Sequence, residues 1–193
     1  MMSIRLRCLA LAAVLAATSG LAQAHQCDGV AFPEHVTVHG QTLTLNGLGI
    51  RKATWFRIKV YVGALYLAHP SADAAAILAS DAPSEIVLHF LWHVTTGQLR
   101  SAWRDGFKKS APAELPALRA RIAELNGWMH GVGSGQSMTF VHLPGQGIEY
   151  LFNGVPQGSI PGGDFARAFL GIWLGPHPPG RALKAGLLGG ACR

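Results

Sequence analysis

The chain has 193 residues, of which 49% are hydrophobic and 13% are charged. This balance is typical of a compact globular protein and argues against an intrinsically disordered one. The formal net charge of +6 comes from basic residues scattered along the chain, so we expect no nucleic-acid partner.

Residues 1–24 have the pattern of a secretory signal peptide. Arg5 and Arg7 precede an apolar run at 9–17, and an A-x-A cleavage motif ends the segment. The apolar run is too short to span a bilayer, which needs about 20 residues, so we expect no transmembrane segment. We therefore expect residues 25–193 to form one domain that works in the periplasm or after secretion.

The cysteines agree with export. Cys8 lies in the signal peptide, which leaves Cys27 and Cys192 at opposite ends of the remaining chain. In an oxidising compartment these two residues predict one disulfide, with two free thiols as the alternative. Because the chain has no CxxC spacing, we do not expect the cysteines to bind a metal.

Up to residue 94, β-type segments dominate the chain. Alternating and β-branched residues predict, in chain order, strands at 36–38 and 41–45, a glycine-marked turn at 46–49, a strand at 58–67, a short helix at 72–79 and a strand at 86–94. The period then becomes helical, which predicts helices from about 96 to 109 and from 116 to 126.

The last third of the chain predicts a meander followed by two helices. Strands are expected at 138–143, 148–152 and 155–160, and Asn153-Gly154 between the last two is a strong hairpin signal. Helices are expected at 165–174, with Asp164 as the N-cap, and at 181–188. This order indicates an α+β fold, with one antiparallel sheet covered on one face by helices. The space between sheet and helices is then the natural ligand cavity.

Nine histidines suggest a metal site, but their spacing does not favour one. His35 and His39 are four residues apart in a strand-like run, as are His89 and His93. Four residues of a strand span about 13 Å, too far for two ligands of one zinc ion, so we expect no metal. Haem remains open as an alternative cofactor, with His93 or His130 as an axial ligand. It would be bound non-covalently, because no CxxCH motif exists.

One arginine is a candidate ligand-binding residue. No HExxH, GxSxG, GxGxxG or Walker motif is present, so we assign no catalytic residue. Arg51 follows the glycines of LNGLGIR and precedes the strand that carries Tyr61. A guanidinium close to a phenol would anchor a carboxylate or phenolate. The alternative is a solvated arginine at a turn.

Three blocks of sequence resemble a known family. They are LNGLGIRKATWFRIKVYVGALYL at 45–67, HFLWHVTTGQLRSAWRDGF at 89–107, and GSIPGGDFARAFLGIWLGPHPP at 158–179, followed by KAGLLG. In these blocks the chain resembles the chalcone isomerase-like family, specifically its bacterial exported branch. The resemblance implies an open-faced β-sandwich, in which a large antiparallel sheet carries a layer of helices on one face.

The resemblance also implies roles for particular residues. Arg51 matches the arginine that plant chalcone isomerases and fatty-acid-binding members share. Tyr61 falls where the isomerases have threonine, which resembles the fatty-acid-binding version. The isomerase tyrosine and asparagine, expected near 98–105, have no match. Further candidates for the cleft, with core packing as their alternative role, are Val62, Leu65, Trp103, Phe107, Phe169 and Trp173.

The residues and the resemblance together predict a non-catalytic periplasmic binder of a small apolar molecule with an acidic head, such as a fatty acid. Arg51 and Tyr61 would hold the head, and Trp103 and Phe107 would contact the tail. One alternative is an isomerase or intramolecular lyase of the chalcone isomerase type acting on an unknown substrate. Another is a non-covalent haem protein.

Overall fold

The computed structural model describes residues 24–53 and 56–193. The predicted signal peptide, apart from Ala24, lies outside the described residues, so it stays a prediction. The strands are β1 Ala24–Cys27, β2 Val30–Pro33, β3 His35–Val38, β4 Gln41–Ala53, β5 Ile58–Leu67, β6 Ser84–Phe90, β7 Ser137–Leu143, β8 Gly147–Phe152 and β9 Val155–Ile160. The helices are α1 Ala74–Ala79, α2 Thr96–Ser110, α3 Leu115–Trp128, α4 Gly163–Leu174 and α5 Arg181–Leu187.

Seven of these strands form one antiparallel sheet in the order β3-β4-β5-β6-β7-β8-β9. Because each strand pairs with its sequence neighbours, the sheet needs no crossover connection. Strands β1 and β2 pair with each other as a separate hairpin. Within the described residues, no helix is long and apolar enough to cross a membrane.

The helices cover one face of the sheet, which we call the inner face. Helix α2 directs an apolar stripe of Leu99, Trp103 and Phe107 into the core, as its helical spacing requires. Helix α4 is buried along most of its length and contacts both α2 and the sheet. The predicted α+β architecture, one antiparallel sheet with helices on one face, is confirmed.

The opposite, outer face of the sheet carries a second apolar cluster. There Phe32 of the β1–β2 hairpin packs with residues such as Val62 and Tyr66 of β5. The Tyr66 hydroxyl donates a hydrogen bond to the carbonyl oxygen of Pro33 at 3.0 Å. The predicted disulfide between Cys27 and Cys192 is present, with the two Cα atoms 6.0 Å apart. It links the hairpin to the C-terminal end of the chain.

The predicted glycine turn at 46–49 is wrong. Strand β4 runs unbroken through these residues, with a register shift between Leu45 and Gly47. The glycines are needed because α5 lies directly on the strand: a Cβ on Gly49 would come within 2.5 Å of the Leu183 carbonyl oxygen, and one on Gly186 within 2.9 Å of the Gly49 Cα. Glycine here allows two backbones to approach each other closely.

Three further predictions need correction. The sequence predicted no strand before residue 36, whereas β1 and β2 form a hairpin there. Strand β6 ends at Phe90 rather than at Val94, where a backbone bridge to Val132 forms instead. Asp164 is not the N-cap of α4, because Gly162 takes that place. Asp164 lies in the first turn and accepts hydrogen bonds from Arg121 at 2.7 and 2.5 Å.

Candidate functional site

A cavity of about 640 Å³ lies between the inner face of the sheet and helices α2 and α4. Small-molecule sites in proteins have volumes of about 300–1,000 Å³. Much of the cavity wall is apolar. Side chains of strands β5 and β6 form one side, and side chains of α2 and α4 form the other. The apolar lining includes Val60, Leu88, Phe90, Leu99, Trp103 and Trp173.

Arg51 and Tyr61 both line this cavity. They are directly paired across strands β4 and β5, so their side chains emerge on the same face of the sheet. Alternation along β4 places Gly47, Gly49 and Arg51 on that face, and α5 covers the two glycines. Arg51 is therefore the next inward-facing side chain of β4 beyond the helix. The sequence left open which way this arginine faces, and the structure places it at the cavity.

The guanidinium of Arg51 has donors to spare. Its Nη1 donates to the carbonyl oxygen of the neighbouring Lys52. Among the described residues, this is its one hydrogen bond, and no carboxylate forms an ion pair with it. A guanidinium carries five N–H donors and is always charged. The arrangement suits an anionic group of a ligand better than a structural ion pair.

Tyr61 is buried, and its hydroxyl oxygen accepts a hydrogen bond from Trp173 Nε1 at 3.0 Å. Burial raises the pKa of Tyr61 to about 12, although the Trp173 hydrogen bond and the Arg51 charge both act to lower it. The phenol therefore keeps its proton at neutral pH and can donate it to an acceptor on a ligand. A group with this pKa is a poor general base near pH 7.

Comparisons with known proteins identify the family. Residues 24–189 match the family model described as chalcone isomerase-like. The chain belongs to the chalcone isomerase-like family. Thirty-eight chains of solved structures are also similar, among them a fatty-acid binding protein of Arabidopsis thaliana. That protein is 15% identical, with a TM-score of 0.69 over 86% of this chain and 96% of its own, which establishes the shared fold. A search of curated proteins found no match.

The chalcone isomerase-like fold brings some of the predicted cleft residues to the cavity. Trp103 lines it and packs against Phe140, Phe169 and Trp173 with ring centroids 5.4, 5.4 and 5.8 Å away. Trp103 Nε1 is buried without a hydrogen-bond partner among the described residues. Trp173 also lines the cavity.

Other predicted cleft residues lie elsewhere. Phe107 is fully buried one turn further along α2, where its ring packs against Phe165 at 5.4 Å and Phe169 at 6.3 Å. Leu65 and Phe169 are likewise in the inner core rather than at the cavity wall. Val62 is on the outer face, because it alternates with Tyr61 along β5.

The two histidines considered for haem are in different places. His93 is exposed and lines the cavity. His130 is exposed away from the cavity, where its ring contacts Phe152 with centroids 4.3 Å apart. Among the residues described, no three His, Cys, Asp or Glu side chains converge as a metal site would require.

The cavity also has a polar wall that the sequence analysis did not assign. Gln98, Asp105 and Lys109 of α2 supply its polar groups, and Ala102 lies between them on the same helical face. These residues are spaced by four, three and four positions, which places them on one helical face beside the stripe of Leu99 and its neighbours. That spacing was the signal in the sequence that could have pointed to this polar wall. It became informative only once the helix was placed over the sheet.

Proposed function

We propose that this protein binds a small apolar molecule with an acidic head, such as a fatty acid, without transforming it. The observation that carries the proposal is the pairing of Arg51, which has no carboxylate partner in the described part of the chain, with the protonated Tyr61 at the wall of a mainly apolar cavity. The Arabidopsis protein that shares the fold is a fatty-acid binding protein, which supports a binding role.

The two ends of such a ligand would meet different surroundings. Arg51 would hold the carboxylate through its parallel N–H donors, and the Tyr61 hydroxyl would donate a further hydrogen bond. Hydrogen bonds to charged groups contribute about 1.5–3 kcal/mol each. The apolar tail would lie along side chains such as Leu88, Phe90 and Leu99. Burying its surface would add about 25 cal/mol for each Å² removed from water.

The two residues at the proposed head position favour binding over isomerisation. An isomerase of the family type, the alternative function, needs a group that positions and moves protons on its substrate. Arg51 is permanently charged, and the raised pKa of Tyr61 keeps its phenol neutral. Neither of the two residues at the head position then has a proton-accepting state near neutral pH.

We also propose that the protein works in the periplasm or after secretion. The pattern of residues 1–24 supports this compartment. The disulfide between Cys27 and Cys192 supports it independently, because such bonds persist in oxidising compartments.

The proposal is tested by extracting bound molecules from the purified mature protein and identifying them by mass spectrometry. Wild-type protein should carry a stoichiometric fatty acid, and Arg51→Ala should lose it. Arg167→Ala, which removes an exposed arginine of α4, is the matched control and should retain the ligand. A ligand-free wild type that is also indifferent to added fatty acids would refute the proposal. A Soret band in the absorbance spectrum of the same sample would instead support haem binding through His93.

A further inference from the structure

The described residues expose three large hydrophobic side chains, and all three lie at one end of the sheet. They are Phe56, Trp92 and Val155, which are 74%, 56% and 60% exposed. We call the surface that they mark the apolar end. Single exposed apolar residues are common in proteins, whereas several that share one surface often mark an interaction site.

The strand register establishes this common location. Tyr61 near the start of β5 pairs with Phe90 at the end of β6, so the β4–β5 turn that carries Phe56 adjoins the segment that carries Trp92. The backbone N–H of Trp92 donates to the Val60 carbonyl oxygen at 3.3 Å, which ties the two together.

The same register continues to the far side of the sheet. His89 pairs with Ser137 at the start of β7, and Met138 pairs with Phe152 at the end of β8. The turn from β8 to β9, which exposes Val155, therefore lies at this end as well.

The apolar end also carries several basic side chains. Four stretches of the chain reach it, described at 51–53 with 56–60, at 89–97, at 127–137 and at 151–157, and they contain no Asp or Glu. Asp28 of the β1–β2 turn is the carboxylate brought to this end by its contact with Lys59. The first segment alone carries Arg51, Lys52, Arg57 and Lys59. Lys59 forms an ion pair with Asp28 of the β1–β2 turn, whereas Arg57 is exposed. The one carboxylate of α2, Asp105, lies at the cavity wall.

The cavity reaches this same end of the molecule. Its lining includes Ala53 and Ile58, which flank the β4–β5 turn, and Trp92 and His93, which follow β6. An apolar ligand that enters here would pass beside Trp92, with Arg51 further inside the cavity.

We propose that the apolar end docks on the surface of an anionic phospholipid bilayer. Tryptophan favours the membrane–water interface, where its ring is apolar on one side and polar on the other. Basic residues near the surface are attracted by anionic headgroups, and exposed apolar side chains insert between them. Docking in this orientation places the mouth of the cavity against the lipid, so that a ligand moves between bilayer and cavity without crossing water.

The test is flotation of the purified protein with vesicles of phosphatidylglycerol mixed with phosphatidylcholine, compared with vesicles of phosphatidylcholine alone. The wild type should float with the anionic vesicles, and added salt should weaken that binding. Trp92→Ala should lower the bound fraction about 5-fold. Arg57→Glu should lower it about 10-fold, because it reverses one charge at the surface.

Arg167→Glu provides the matched control. It makes the same change of charge in the first half of α4, whose start lies beside Ile160 at the opposite end of the sheet. This variant should float like the wild type. Circular dichroism of each variant checks that the fold is intact.

Two results would overturn the inference. One is a wild-type protein that does not bind anionic vesicles. The other is binding that Trp92→Ala and Arg57→Glu leave unchanged. Because the vesicles contain no added fatty acid, failure of docking is distinguishable from failure of fatty-acid binding.

Discussion

Two buried tyrosines of the sheet differ in what their hydroxyl groups contact. The Tyr61 hydroxyl accepts the Trp173 N–H at the cavity wall, whereas the Tyr150 hydroxyl is buried without a hydrogen-bond partner among the described residues. Removing a hydrogen-bonded oxygen leaves its partner unsatisfied, at a cost of about 1–3 kcal/mol. Removing an oxygen that has no partner carries no such penalty.

We therefore predict different outcomes for the same substitution, Tyr to Phe, at these two positions. Tyr61→Phe should lower the free energy of unfolding by about 1–3 kcal/mol, because Trp173 Nε1 loses its acceptor, and should weaken fatty-acid binding about 5-fold. Tyr150→Phe should leave both quantities unchanged or raise the stability slightly. Urea unfolding and a fatty-acid titration measure the two effects. Equal losses of stability in both variants would show that the Trp173 hydrogen bond does not contribute.

A buried carboxyl group on the outer face should make stability depend on pH. Glu85 lies beside Tyr66, to which it is paired across β5 and β6, and burial raises its pKa to about 7. A raised pKa means that the fold favours the protonated carboxyl group. The stabilisation is fully present below the unfolded pKa of 4.5 and is lost as the pH rises to about 7.

Glu85→Gln should remove this loss. Relative to the wild type, the variant should gain about 2–3 kcal/mol of unfolding free energy between pH 4 and pH 8. The comparison cancels the contribution of His142, which titrates with the opposite sign because burial lowers its pKa. Urea unfolding at the two pH values makes the measurement. A difference between the proteins that does not change with pH would contradict the assignment.

At the scale of whole elements, the contact between α5 and β4 sets where Arg51, the proposed head-group anchor, lies. The helix covers Gly47 and Gly49, so that Arg51 follows at its edge. A methyl group on Gly186 would collide with the backbone of β4, coming within 2.9 Å of Gly49 Cα. Backbone atoms cannot move aside as a flexible side chain can, so the helix itself would have to shift.

Gly186→Ala should therefore lower the free energy of unfolding by about 2–3 kcal/mol, despite the higher helix propensity of alanine. The control is Gly127→Ala in α3, where no atom of the described residues beyond the helix's own backbone lies within 4 Å of the added methyl group. That substitution should raise stability by about 0.5–1 kcal/mol. Thermal unfolding of both variants decides the matter, and a stabilised Gly186→Ala would show that α5 does not rest on the strand as described.

The elements that local sequence predicted best are those in which backbone pairing and side-chain pattern agree. Strand β5 has its predicted bounds, Ile58–Leu67, because its β-branched and aromatic residues leave little choice. The β8–β9 hairpin follows from Asn153-Gly154, both of which have the positive φ that this turn needs. The glycines of β4 misled because their reason is a helix more than 130 residues later in the chain, which no local pattern reveals.

In the candidate site, too, some positions followed from the sequence while others depended on tertiary packing. The resemblance to the family pointed to Arg51 and Tyr61, and the register of β4 and β5 brings them together at the cavity. The sequence allowed a core role for both Trp103 and Phe107 but could not tell which of them lines the cavity, because they share one helical stripe and differ only in what lies opposite each. That difference is set by tertiary packing.

At the scale of the whole molecule, one covalent bond joins the beginning and the end of the domain. The disulfide connects Cys27 and Cys192, which are 165 residues apart in sequence. Closing so long a loop restricts the unfolded chain and should contribute about 5 kcal/mol to stability on the chain-entropy model. The paired variant Cys27→Ser with Cys192→Ser should unfold at a correspondingly lower urea concentration. A reductant should lower the midpoint of the wild type and leave that of the variant unchanged; a wild type insensitive to reduction would contradict this.

We propose that Arg51 selects a ligand by its acidic head. The most direct test is calorimetric titration of a long-chain fatty acid and of the alcohol of the same chain length into wild-type protein and into Arg51→Ala. The wild type should bind the acid about 10- to 100-fold more tightly than the alcohol, and Arg51→Ala should bind both equally and weakly. A wild type that does not distinguish acid from alcohol, or an Arg51→Ala variant that keeps the full preference, would contradict the account.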